Sequence, residues 1–163
     1  MKRVYLVRHA KSSWDNSDLR DIERPLNERG LKDAPFMGKL IRSKGIQPDL
    51  MVSSPAIRAL TTAAYFKTAL GVEGEDFWVR DEIYEMFSTT ILQFIQRLPE
   101  SCETVMLFGH NPTFTDVANM FSKNYIDNIP TCGVVCIQST AASWPDFSSK
   151  NAEVVDTFFP KEY

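Results

Sequence analysis

The chain contains two histidines, and each is separated by one residue from the end of a short apolar run. Val4-Tyr5-Leu6-Val7 leads into Arg8-His9, and Val105-Met106-Leu107-Phe108 leads through Gly109 into His110-Asn111-Pro112. A third run, Leu50-Met51-Val52, leads into Ser53-Ser54-Pro55, with Arg58 close behind. Imidazole with a reference pKa of about 6.5 is a competent nucleophile near neutrality. Arginine presents a planar fork that grips a tetrahedral oxyanion by paired hydrogen bonds. Two imidazoles and two guanidiniums therefore point to phosphoryl transfer, with charge on the transferring group held by fixed donors. A three-histidine zinc site is not available to this composition, so the expected route uses no metal and no cofactor.

The three apolar runs are rich in β-formers and apolar on both faces, as buried strands of a parallel sheet are. Helices are expected between them: roughly Leu26 to Lys44, interrupted by Pro35 and stopped by Gly45; Pro55 to Leu70, ending at Gly71; Thr90 to Leu98; and one after Pro112. Gly133–Ser139 and Glu153–Phe159 read as two further strands. Strands alternating with helices predict an α/β fold. In such sheets ligands bind outside the carboxyl ends of the strands, so the three segments should converge on one face. Ser54-Pro55 and Asn111-Pro112 each read as an N-cap followed by proline at the first helical position, which would aim helix N–H groups at an anion.

The chain has 163 residues, 44% hydrophobic and 24% charged, which excludes disorder and coiled coil and favours one domain over 1–163. No apolar run approaches the length of a membrane span, and the run after Met1 is too short for a signal peptide, so neither membrane nor export is expected and the reading is cytoplasmic. Net charge is −3, which argues against a nucleic-acid partner. The charge is uneven: residues 1–44 hold 11 basic and 6 acidic groups, a local +5. That segment suits a small anion, or is simply a solvated surface. Cys102, Cys132 and Cys136 read as reduced and buried, since an odd count forms no disulfide framework.

These residues resemble the histidine phosphatase superfamily. Arg8-His9-Ala10-Lys11-Ser12 is similar to its RHG motif, with alanine in the glycine position. Ser53-Ser54-Pro55-Ala56-Ile57-Arg58-Ala59 with Thr62-Ala63 is similar to its SSPxxRAxxTA segment, and Gly109-His110-Asn111-Pro112 resembles its second histidine motif. Arg24-Pro25-Leu26 followed by Gly30 is similar to the RPLxxxG segment of the small SixA-like phosphohistidine phosphatases. The phosphoglycerate mutases of the superfamily tend to carry asparagine where this chain has Asp15, a departure that counts against a mutase.

The resemblance implies a three-layer α/β/α sandwich around a mainly parallel sheet, of the phosphoglycerate mutase-like kind. It implies that His9 attacks phosphorus and is transiently phosphorylated, while Arg8, Arg58 and a protonated His110 hold the phosphoryl oxygens. Glu85 occupies the stretch where many members place a general acid; the other reading is a solvated glutamate. Arg24 is a secondary pocket residue or the partner of Asp15 or Asp21, and Asn111 is a further secondary candidate. Asp15 orients Arg8 or Arg24, or is solvated; Lys11 rims the pocket or is solvated; Trp14 forms a wall or packs. The implied activity is metal-independent phosphatase, on protein phosphohistidine in a signalling setting. The alternatives are a small-molecule phosphomonoesterase or mutase on the same scaffold, and an inactive phosphate-binding module.

Overall fold

A computed structural model describes all residues, 1–163. Six strands form one sheet: β1 (Lys2–Arg8), β2 (Leu50–Ser53), β3 (Phe77–Val79), β4 (Thr104–Gly109), β5 (Val134–Ser139) and β6 (Ala152–Phe158). Their order is β3-β2-β4-β1-β5-β6. The first four run parallel; at one side β5 pairs antiparallel with β1, and β6 antiparallel with β5. The α/β fold with a mainly parallel sheet is as expected. β3, a short edge strand of three residues, carries too little pattern to be read from sequence.

Alternate residues of β1 show how the layers form. Tyr5 and Val7 pack with Met37 and Ile41 of helix α1 (Glu28–Ser43) and Phe66 of α2 (Ile57–Leu70). Val4 and Leu6 face the other way, toward Ile91 and Ile95 of α3 (Ser88–Ile95) and Val117 of α4 (Thr113–Asn119). The period-2 strand thus feeds two apolar cores, which is the physical basis of three layers. Cys102, Cys132 and Cys136 are free and buried. No helix is long and apolar enough to cross a membrane.

Several expected boundaries move. Helix α1 begins after Leu26, because Asn27 caps it by accepting from Gly30 N–H at 2.9 Å. Pro35 does not interrupt it: the helix is continuous from Glu28 to Ser43. Helix α3 starts and ends earlier than Thr90 to Leu98. Gly45 and Gly71 do terminate their helices, with φ of 75° and 65°, a region that glycine enters without steric cost.

The N-cap expectation for Ser54 is also corrected. Ala56 remains extended, with ψ of 137°, so α2 starts at Ile57, two residues late. At the other junction the N-cap is Pro112 rather than Asn111 and α4 begins at Thr113, although Asn111 Oδ1 still accepts from Thr115 N–H at 3.2 Å.

Candidate active site

Strand register alone brings the two histidines together. β1 and β4 are adjacent and parallel, with Arg8 paired to Gly109. The next residue on each strand is a histidine, and the imidazole centroids lie 5.2 Å apart. On the far side of β4, Ser53 pairs with Phe108, so Ser54 follows beside them. Backbone bonds extend the ladder past the strand ends: His9 N–H donates to Gly109 O at 3.0 Å, and Ser54 N–H to Phe108 O at 2.9 Å.

Loops then clamp this floor. Thr62 Oγ1 accepts from Ala10 N–H at 3.0 Å and donates to Arg58 O at 2.7 Å, tying the loop after His9 to α2. Gly30 brings the first turn of α1 against the backbone of Lys11, closer than any side chain would allow. Behind the site, Cys132 N–H donates to the carbonyls of Arg8 and His9 at 3.0 and 3.1 Å.

The result is a pocket of about 390 Å³ lined by Arg8, His9, Arg24, Arg58 and His110 on its deeper side. Lys11, Trp14, Asp21, Tyr84 and Met86 stand around the opening. His9 Nδ1 lies 2.7 Å from Ala10 O, a carbonyl, so Nδ1 carries the proton and Nε2 keeps its lone pair. Arg58 Nε donates toward that Nε2 at 3.3 Å. Burial, with the charges of Arg58 and Arg8, outweighs the Ala10 hydrogen bond and lowers His9 to about 4. His110 falls to about 3, through burial first, then His9 and Arg58. Burial and the neighbouring cations thus both work against a charged His110 in the free pocket.

Arg8 donates through Nη1 to Ile129 O at 2.8 Å, while its Nε has no partner. Arg8 Nε and His110 Nδ1 are the two buried side-chain polar atoms in the protein without a hydrogen bond. Native proteins satisfy nearly all such groups, so two orphans in one pocket mark a place built for an external acceptor.

Asp21 is the residue whose importance sequence reasoning underrated. Its Oδ2 accepts from Arg58 Nη2 at 2.9 Å and from Tyr84 Oη at 2.7 Å, and its Oδ1 from Arg24 Nε at 3.3 Å. Arg58 Nη1 also donates to Asp21 O at 2.6 Å. Partial burial raises its pKa, but the bonds from Tyr84 and Arg58 more than reverse this and hold it at about 2. Arg24 thus does both things considered for it, lining the pocket and pairing with Asp21, and its guanidinium lies 3.5 Å from the centre of the Trp14 ring. Asp15 is exposed and makes neither of the ion pairs considered for it.

Two further expectations need correction. Glu85 is exposed and outside the pocket wall, while its neighbours Tyr84 and Met86 line it. The short turn Asp81–Tyr84 ends just before it, and only its backbone carbonyl is engaged, by Thr113 Oγ1 at 3.4 Å. Asn111 lines the pocket, but its amide group is spent on Asn128 Oδ1 and Ile129 O, both at 2.9 Å. It anchors the loop that also receives Arg8 and offers no free donor. No cluster of metal-ligating side chains is present.

With the geometry in hand, comparison with known proteins is direct. Residues 4–91 match the profile of the histidine phosphatase superfamily (branch 1). The chain belongs to that superfamily. The matched segment contains His9, Arg24 and Arg58; His110 lies beyond it and joins the site through strand register. This histidine phosphatase is similar over 96% of its length, at 31% identity and a TM-score of 0.81, to the structure of a candidate phosphohistidine phosphatase SixA from Agrobacterium tumefaciens, 97% of which is covered. It shares its fold with the protein histidine phosphatase SixA complexed with tungstate, at a TM-score of 0.82 and 17% identity, covering 98% of each chain. An uncharacterised chloroplast protein of Arabidopsis thaliana is 28% identical over 89% of this chain and 70% of its own length. The chain is thus a SixA-like phosphatase of the histidine-nucleophile type.

Proposed function

We propose that this histidine phosphatase, as one domain over 1–163, removes phosphoryl groups carried on histidine side chains of proteins. The observation that carries the substrate reading is the state of Asp21. It is the one carboxyl in the pocket wall, and it is held ionised by Tyr84 and Arg58. An ionised carboxylate cannot protonate a departing alkoxide, which a phosphomonoester requires and for which a general acid supplies typically about 10²–10⁴-fold. A phosphoramidate makes no such demand, because imidazole is a far weaker base than alkoxide.

In the proposed first step, His9 Nε2 forms a bond to phosphorus as the P–N bond of the substrate breaks. The leaving nitrogen takes the electron pair of that bond. A substrate ring that enters protonated on its other nitrogen departs as neutral imidazole. Arg8 Nε and His110 Nδ1 receive the phosphoryl oxygens, and Arg58 turns part of its fork from Asp21 to the same group. Water then attacks phosphorus, His9 is released, and inorganic phosphate leaves. Exposed Trp14 and Met86, 72% and 77% accessible, flank the opening and suit a phosphoryl group presented on a protein surface.

The test is labelled phosphohistidine protein mixed with enzyme and quenched in alkali, which preserves phosphohistidine. Label is expected on the wild type and absent from His9→Ala. Steady-state kcat/KM is expected to favour phosphohistidine protein over aryl phosphates and phosphoglycerates. Faster turnover of phosphomonoesters would overturn the substrate assignment.

A further inference from the structure

His110 is oriented by a residue that the proposed reaction does not otherwise use. Ser54 is fully buried at the end of β2. Its Oγ accepts from Ala56 N–H at 3.1 Å and lies 2.7 Å from His110 Nε2. The proton between Ser54 and His110 has two possible homes, and hydrogen-bond accounting separates them. If Nε2 carried it, Ser54 Oγ would accept twice while its own hydroxyl proton found no acceptor in a closed interior. His110 Nδ1 would then face a bound oxyanion with a bare lone pair. If Ser54 donates instead, Ser54 Oγ, Ala56 N–H and His110 Nε2 are all satisfied, and Nδ1 carries an N–H. Nδ1 is the ring nitrogen left without a partner, on a side chain that lines the pocket.

We propose that Ser54 is a positioning residue that locks His110 in the Nδ1–H tautomer, so that a neutral ring donates a hydrogen bond to the bound phosphoryl group. The lock answers a difficulty the site poses: burial among arginines keeps His110 uncharged, yet an oxyanion needs a donor there. His9 shows the complementary arrangement. Its Nδ1–H is spent on Ala10 O, so it presents a lone pair at Nε2. One tautomer, turned two ways, yields an electron-pair donor on one ring and a proton donor on the other. Ser53 supplies an internal control, because its hydroxyl donates to Ser54 O at 2.8 Å.

The donor role rests on the pocket being a phosphoryl site, but the tautomer can be read without turnover. With two histidines in the chain, long-range ¹H–¹⁵N correlation spectra of the full protein are assignable, with His9→Gln identifying the His110 signals. At neutral pH the wild type is expected to show His110 Nε2 unprotonated and Nδ1 protonated. Ser54→Ala is expected to shift Nε2 toward the protonated form and to lower kcat about tenfold, a part of the 10²–10³ that loss of a whole oxyanion donor costs. Ser53→Ala is expected to leave the tautomer unchanged. Protonated Nε2 in the wild type overturns the lock, even if Ser54→Ala fails to fold, and leaves the phosphatase reading intact. An Nδ1–H tautomer in a protein that never labels on His9 upholds the lock and overturns that reading instead.

Discussion

His9 and His110 on the pocket floor follow paired residues of neighbouring strands, whereas Asp21, Tyr84, Trp14 and Met86 at the mouth come from short turns and loops. The floor is buried and its groups are desolvated; at the mouth Trp14, Met86 and the Asp21 carboxylate are half or more exposed, with Tyr84 half-buried beside them. A hydrogen bond or charge on the floor therefore acts in a low dielectric, while one at the mouth is screened. Substitutions at the two levels should differ in size accordingly.

His9→Ala is the largest expected loss. Phosphate release should fall by about 10⁴-fold or more, on the scale of deleting a nucleophile, with the circular dichroism spectrum unchanged. Arg58→Lys comes next: lysine keeps the charge but loses the fork that spans His9 and the oxyanion, so kcat should drop by about 10²–10³. Near-full activity would place the oxyanion grip elsewhere on the floor.

The floor also predicts a pH dependence of stability. His9 at about 4 and His110 at about 3 bind protons less readily in the folded state than at the unfolded value near 6.5. Above 6.5 both states are neutral and nothing is lost. Below it the unfolded chain takes up protons that the folded chain refuses, so stability falls as pH drops from about 6.5 to about 3. Urea unfolding of His9→Gln/His110→Gln should show a shallower decline across that window. An equal decline would mean the rings are not desolvated.

At the mouth, Asp21→Asn retains an acceptor for Arg58 and Tyr84 but removes the charge. A loss of about threefold to fivefold in kcat/KM is expected, the scale of about 1 kcal/mol for a partly exposed ion pair. Glu85→Gln is the smallest: activity within about twofold of wild type on phosphohistidine protein, since surface substitutions away from a site cost little. A tenfold loss there would show that the mouth closes over substrate and brings Glu85 inward.

Much of the floor was readable from residue types. Strand ends, histidines and arginines announced themselves because a parallel strand is a local pattern and its carboxyl end is where loops carry function. Helix starts at Ile57 and Thr113 were less legible, since a proline excludes the preceding residue from the helix but does not say how soon the helix begins. Asp21 and Glu85 show the harder limit. Both are acids in charged, irregular stretches, and nothing in their neighbours tells which one turns inward. Tyr84 and Met86 line the pocket while Glu85, between them, is exposed and outside its wall, just past a turn that ends at Tyr84.

The amino-acid sequence by itself determined the chemical groups, their placement at strand ends and the alternation that yields a layered α/β fold, because these depend on short-range periodicity and residue type. The tertiary structure decided which nitrogen of each ring is free, that burial disfavours charge on the second histidine, and that Asp21 rather than Glu85 stands in the pocket wall. Protonation and hydrogen-bond partnership depend on desolvation and on neighbours tens of residues away, and those are established only when the strands pair and the loops close over their ends.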